Sequence, residues 1–171
     1  MSYYRDLSEY CYNRFPMDGS LNVGWLDNIH PFKKGDVSEQ FLDRLWGYLH
    51  FPMNVCRGFH ICEICNTYEA FSAQCGAPSI TYCDERLEVG YHEIRVFSEN
   101  LNNIYAAPTL IFHYITEHKY LPPREFIDAV MTGFHPGSEQ YRRQLLSFMR
   151  KETESEFYWT PYTPTSFEMQ K

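Results

Sequence analysis

The sequence predicts one α+β domain over residues 1–171, a small antiparallel sheet followed by a C-terminal group of helices. Apolar residues alternate between positions 80 and 97, and beyond position 106 they recur at helical spacing in three successive runs. Ahead of both lies a stretch rich in Cys and poor in aliphatic side chains, which suits a loop organised by something other than a hydrophobic core. A chain of 171 residues with 44% hydrophobic and 18% aromatic content can bury its own core. Neither disulfides nor metal are therefore needed merely to reach stability, and no repeat or long linker divides the chain.

Taken in order, Leu21 to Leu26 reads as a strand within an otherwise irregular beginning, and His30 to Gly35 as a loop punctuated by Pro and Gly. Asp36 with Glu39 three residues on predicts a helix start. Phe41, Leu42, Leu45, Trp46 and Leu49 then form its apolar face, and the helix ends before Pro52. The stretch Cys56 to Cys75 is the Cys-rich loop. Ile80 to Cys83 and Leu87 to Phe97 predict a hairpin whose second strand changes phase near His92–Glu93, as at a bulge. Ala106-Ala107-Pro108 predicts the start of a helix running to Lys119 with Leu110, Ile111, Tyr114 and Ile115 on one face. Pro122-Pro123 opens the next helix, carrying Phe126, Ile127 and Val130 and ended by Gly133. Ser138 caps a third, with Tyr141, Leu145, Phe148 and Met149 inward and Arg142 and Arg143 outward. Residues 152–171 form an acidic, aromatic tail.

A formal net charge of -7 repels phosphate backbones and anionic membranes, so nucleic acid and membrane are not expected partners, whereas a protein with a basic surface is. No apolar run reaches the roughly 18 residues of a membrane span, and Met-Ser-Tyr-Tyr-Arg-Asp does not read as a secretory signal. A cytoplasmic location with reduced cysteines is the expectation.

The strongest chemical signal is His60-x-Cys62-x-x-Cys65. Two Cys separated by two residues can hold one Zn²⁺ from a tight turn. A His two residues earlier leaves an extended chain on the same face. Chemically suitable fourth ligands are Cys56, Cys75, Cys83, His92, His113 and His118, and spacing does not choose among them. His113, projecting from the helix that begins near Pro108, is preferred. The predicted metal set is thus His60, Cys62, Cys65 and His113, and four protein ligands make a closed, structural zinc site. If only the first three bind, the ion keeps an open position, and Glu63 or Glu93 could act as general base toward zinc-bound water. His113, Glu117 and His118 do not share one face, since five residues place His118 about 140° around an ideal helix from His113. His118 is therefore read as a hydrogen-bonding or stacking partner of Tyr114.

Several segments resemble a family of small, uncharacterised bacterial proteins, common in actinobacteria, that carry a domain of unknown function. The resemblance rests on residues 3–10, 22–27, 57–65, 90–96 and 105–115, and on His118, Tyr120, Pro122-Pro123 and Phe126. Its longest motifs are Arg57-Gly58-x-His60-x-Cys62-x-x-Cys65 and Tyr105-Ala106-Ala107-Pro108-x-Leu110-Ile111-x-His113-Tyr114-Ile115. It implies that a family zinc site draws on these segments, which favours His113 or His118 over Cys56, Cys75 and Cys83, although this chain is richer in Cys. It names no activity. The function expected from the whole sequence is a zinc-stabilised protein-binding module, an immunity-type protein that neutralises a partner toxin. The alternative is a zinc-dependent hydrolase or nucleic-acid-modifying enzyme with an open site at His60, Cys62 and Cys65.

Overall fold

The computed structural model describes residues 3–12, 19–65 and 78–153, with side chains to residue 147. Cys75 and most of the acidic tail lie outside them. The elements run β1 (Ser20–Asn22), α1 (Glu39–Leu49), β2 (Ser79–Tyr82), β3 (Glu85–Glu88), β4 (Glu93–Phe97), β5 (Ile104–Pro108), α2 (Ile111–His118), α3 (Arg124–Thr132) and α4 (Glu139–Thr153). The result is a small α+β domain. One sheet is mixed and ordered β1-β5-β4, with β1 parallel to β5 and β4 antiparallel to it, while β2 and β3 form a separate hairpin.

β4 and β5 are buried at every position, because both faces of the sheet are covered. Ile94, Val96, Tyr105 and Ala107 belong to the main core with Phe41, Leu45, Phe126 and Val130 of α1 and α3. The opposite face carries Ala106 under Tyr10 and Trp25, with Tyr4 and Tyr12 packed alongside. Glu93 and Arg95 lie on this second face. Arg95 Nη1 donates to Glu93 Oε2 at 2.6 Å, Tyr10 donates its hydroxyl proton to the same carboxylate at 2.7–2.8 Å, and the guanidinium sits 4.6 Å from the Tyr10 ring centre. A buried pair of this kind persists because each charge offsets the other's desolvation penalty.

Several local expectations change. Residues 104–108 form the central strand rather than the first turn of a helix. Ala106 and Ala107 are small because each is pressed between layers, and Pro108 is tolerated as the strand's last residue. The helix cap at α1 is Ser38, whose hydroxyl accepts from Phe41 N–H at 3.2 Å, not Asp36. The phase change near His92 is a real break. Cys83 and Asp84, both with positive φ, close the β2–β3 hairpin, and β4 starts afresh at Glu93 in another sheet. Pro123, Gly133 and Ser138 bound α3 and α4 as the sequence indicates, with the Ser138 hydroxyl accepting from Tyr141 N–H.

Candidate metal centre

The Cys-rich segment is tied to the sheet before it reaches Cys62 and Cys65. Met53 and Glu93 exchange backbone hydrogen bonds at 2.7 and 2.9 Å, Cys56 N–H donates to Tyr91 O at 2.7 Å, and His60 N–H to Gly90 O at 2.6 Å. Gly90 is required at the last of these contacts. Its φ is +87°, and a Cβ there would stand 2.3 Å from the carbonyl oxygen of His60. Beyond His60 the chain turns through Glu63-Ile64-Cys65, and Cys62 and Ile64 rest against the edge of the main core.

Facing that turn is α2. Ile111, Phe112, Tyr114 and Ile115 are buried, which leaves His113 and His118 on the side turned toward the cysteines. Lys119 takes a left-handed conformation and ends the helix, its N–H reaching back five residues to Tyr114 O. His113 and His118, five positions apart, nonetheless approach each other at the end of the helix. Their ring centres lie 5.1 Å apart at 78°.

The outcome is a candidate metal-binding cluster of two cysteines and two histidines. Ligating atoms of Cys62, Cys65, His113 and His118 all lie within 4.8 Å of one another. Cys65 Sγ is 3.1 Å from Nε2 of both His113 and His118, and Cys62 Sγ is 3.2 Å from Nε2 of His118. Around a tetrahedral ion with metal–sulfur bonds of about 2.3 Å and metal–nitrogen bonds of about 2.0 Å, a sulfur–nitrogen edge measures roughly 3.5 Å. These sulfur–nitrogen pairs therefore need to part by only a few tenths of an ångström. Burial pushes the Cys62 thiol up to about 11 and lowers His113 and His118, the former further through its neighbour His118. A neutral Cys62 thiol and neutral imidazoles are thus favoured here, and a divalent cation would bind by displacing the thiol proton.

Of the four residues expected from the sequence, the structure brings together Cys62, Cys65 and His113. His60 lies apart from them. Its Nε2 meets the Tyr12 hydroxyl at 2.9 Å and its backbone is held by Gly90, so it faces the aromatic side of the sheet while His118 stands in the fourth position. Among the other candidates, Cys56 bonds Asn54 O through its thiol, Cys83 is exposed at the hairpin turn, and His92 contacts the Thr109 hydroxyl. A signal for His118 was present. Cys62-x-x-Cys65 followed by His113-x₄-His118 matches the spacing of two-Cys, two-His zinc sites, but the long interval between the halves conceals it. Glu93, the possible general base, is held by Arg95 and Tyr10.

Residues 2–131 match a family model described as a domain of unknown function, DUF7919. Neither the curated proteins nor the solved structures give a match.

Proposed function

We propose, for a chain that belongs to the DUF7919 family of domains of unknown function, that it is a Zn²⁺-stabilised protein-binding module. The observation that carries the metal half is the convergence of two thiols and two imidazoles from segments far apart in sequence. Zn²⁺ suits this donor set, having no geometric demand beyond tetrahedral coordination by sulfur and nitrogen. Four protein ligands leave no position for water or substrate, so the ion would serve structure: Cys62 and Cys65 hold it to the loop, and His113 and His118 hold it to α2.

The binding half is supported by the net charge of -7, the aromatic-rich composition and the exposed Val55 and Phe59 beside the metal loop. An acidic module complements a basic partner. An immunity-type protein acting on a basic toxin in the bacterial cytoplasm is the specific form we favour. Among the described residues no helix is long and apolar enough to cross a membrane. The hydrolase alternative requires an open ion at His60, Cys62 and Cys65, and the engagement of His60 with Tyr12 counts against it.

Elemental analysis of protein purified under reducing conditions tests the metal half. We expect one zinc per chain in wild type and His60→Ala, and loss in Cys62→Ser and His118→Ala. Retention in His118→Ala with loss in His60→Ala would restore His60 as the ligand. Wild-type protein that melts cooperatively with no stoichiometric metal would overturn this half. Failure of the protein to associate with any basic partner in a salt-dependent manner would remove the other.

A further inference from the structure

The two cysteines of the cluster differ in their surroundings. Cys65 is only partly buried, as are His113 and His118, so this side of the cluster lies near solvent. Cys62 rests against the edge of the main core. Both are free thiols, and their sulfurs lie within 4.8 Å of each other. A sulfur–sulfur bond is about 2 Å long, so the pair has at most about 3 Å to close. Two intervening residues form the shortest loop in which redox-active dithiols are commonly built. Both thiols also belong to one turn, so they stay neighbours when the imidazoles of α2 are lost as partners. The other described cysteines stand outside the cluster: Cys11 and Cys83 are exposed, and the Cys56 thiol donates to Asn54 O at 3.6 Å.

We infer that Cys62 and Cys65 form a redox switch, in which a hydroperoxide converts the two ligands into a disulfide, releases the ion and uncouples the metal loop from α2. The inference rests on the Zn²⁺ reading of the cluster and adds its regulation.

Oxidation proceeds in two steps. The Cys65 thiolate, on the side near solvent, attacks one peroxide oxygen; an S–O bond forms, the O–O bond breaks and hydroxide leaves, which gives a sulfenic acid. The Cys62 thiolate then attacks the Cys65 sulfur; the S–S bond forms, the S–O bond breaks and a second hydroxide leaves. The two sulfurs together lose two electrons, the peroxide gains them, and both hydroxides take protons from solvent. A disulfide carries no thiolate charge, so two of the four ligands are withdrawn at once. His113 and His118 alone are too few for a tetrahedral protein site. Val55 and Phe59 are exposed on the same loop, so the surface that it offers to a partner changes with the oxidation state.

The test adds hydrogen peroxide to the reduced, full-length, zinc-loaded protein, follows released zinc with a chromophoric chelator and maps disulfides by mass spectrometry. We expect one zinc released per chain, the loss of two hydrogens at a Cys62–Cys65 link, and recovery of bound zinc after a dithiol reductant and zinc are added. Amide protection over residues 53–65 should fall on oxidation while α1 and α3 stay protected. A variant combining Cys11→Ser, Cys56→Ser and Cys83→Ser should release zinc at the wild-type rate. Zinc retained while Cys11 and Cys83 are oxidised would overturn the switch and leave the zinc reading in place. So would release with Cys62 or Cys65 as a sulfinic or sulfonic acid, a disulfide from either to another cysteine, or release that disappears in the combined variant. Reduced protein that holds no zinc would overturn the zinc reading and the switch together.

Discussion

Between Met53 and Cys65 only Met53 is fully buried, whereas every residue of β4 and β5 is. The two regions touch through the Met53–Glu93 backbone pair, yet they are held by different physics. The sheet loses apolar surface to helices on one side and to an aromatic layer on the other. The loop has little such surface to lose, and its order rests on four backbone hydrogen bonds and on side chains that converge at one point. The contrast teaches that a point where thiols and imidazoles converge stands in for hydrophobic burial locally, not globally.

Metal removal should have the largest effect and the most confined one. Treatment with a chelator should abolish amide protection across residues 53–65 while α1 and α3 stay protected in hydrogen exchange, because their core is independent of the cluster. Equal loss in both regions would break the comparison. From the other side, Phe126→Ala empties a core position that is 0% exposed and should cost about 3–5 kcal/mol in denaturant unfolding, with metal content unchanged. Gly90→Ala probes the seam between the regions. A positive φ with a side chain costs about 1–2 kcal/mol and the clash with His60 O adds to it, so the loop should shift and metal affinity should fall while helix content persists by circular dichroism.

The smallest effect is a pH dependence. His92 takes up its proton near 4 when folded and near 6.5 when free, so between these values the unfolded state binds more protons. Its contribution to stability is complete above about pH 6.5 and declines as pH falls toward 4. Denaturant titrations should show a shallower decline over that window in His92→Gln than in wild type.

The helical elements were legible because their signals are local: Phe41, Leu45 and Leu49 on one face of α1, Gly133 at the end of α3, Ser138 at the start of α4. The centre of the sheet was not. Ala106-Ala107-Pro108 has the composition of a helix start, and only the layers above and below show why small residues occupy a central strand. The candidate metal centre divides in the same way. Cys62 and Cys65 announce themselves through their spacing, and His113 follows from the helix that carries it. An ideal helix turns His118 about 140° from His113, and only the placement of the cysteine turn beside α2 shows both imidazoles reaching one point.

By itself, then, the sequence determined the fold class, the helix faces and the two-cysteine turn, all of which depend on residues within a few positions of one another. Tertiary structure decided which histidine joins that turn, which strand lies at the centre, and how Glu93, Arg95 and Tyr10 share one buried face. Those choices depend on the pairing of segments that lie far apart in the chain, where hydrogen-bond register and desolvation, rather than local pattern, set the lowest free energy.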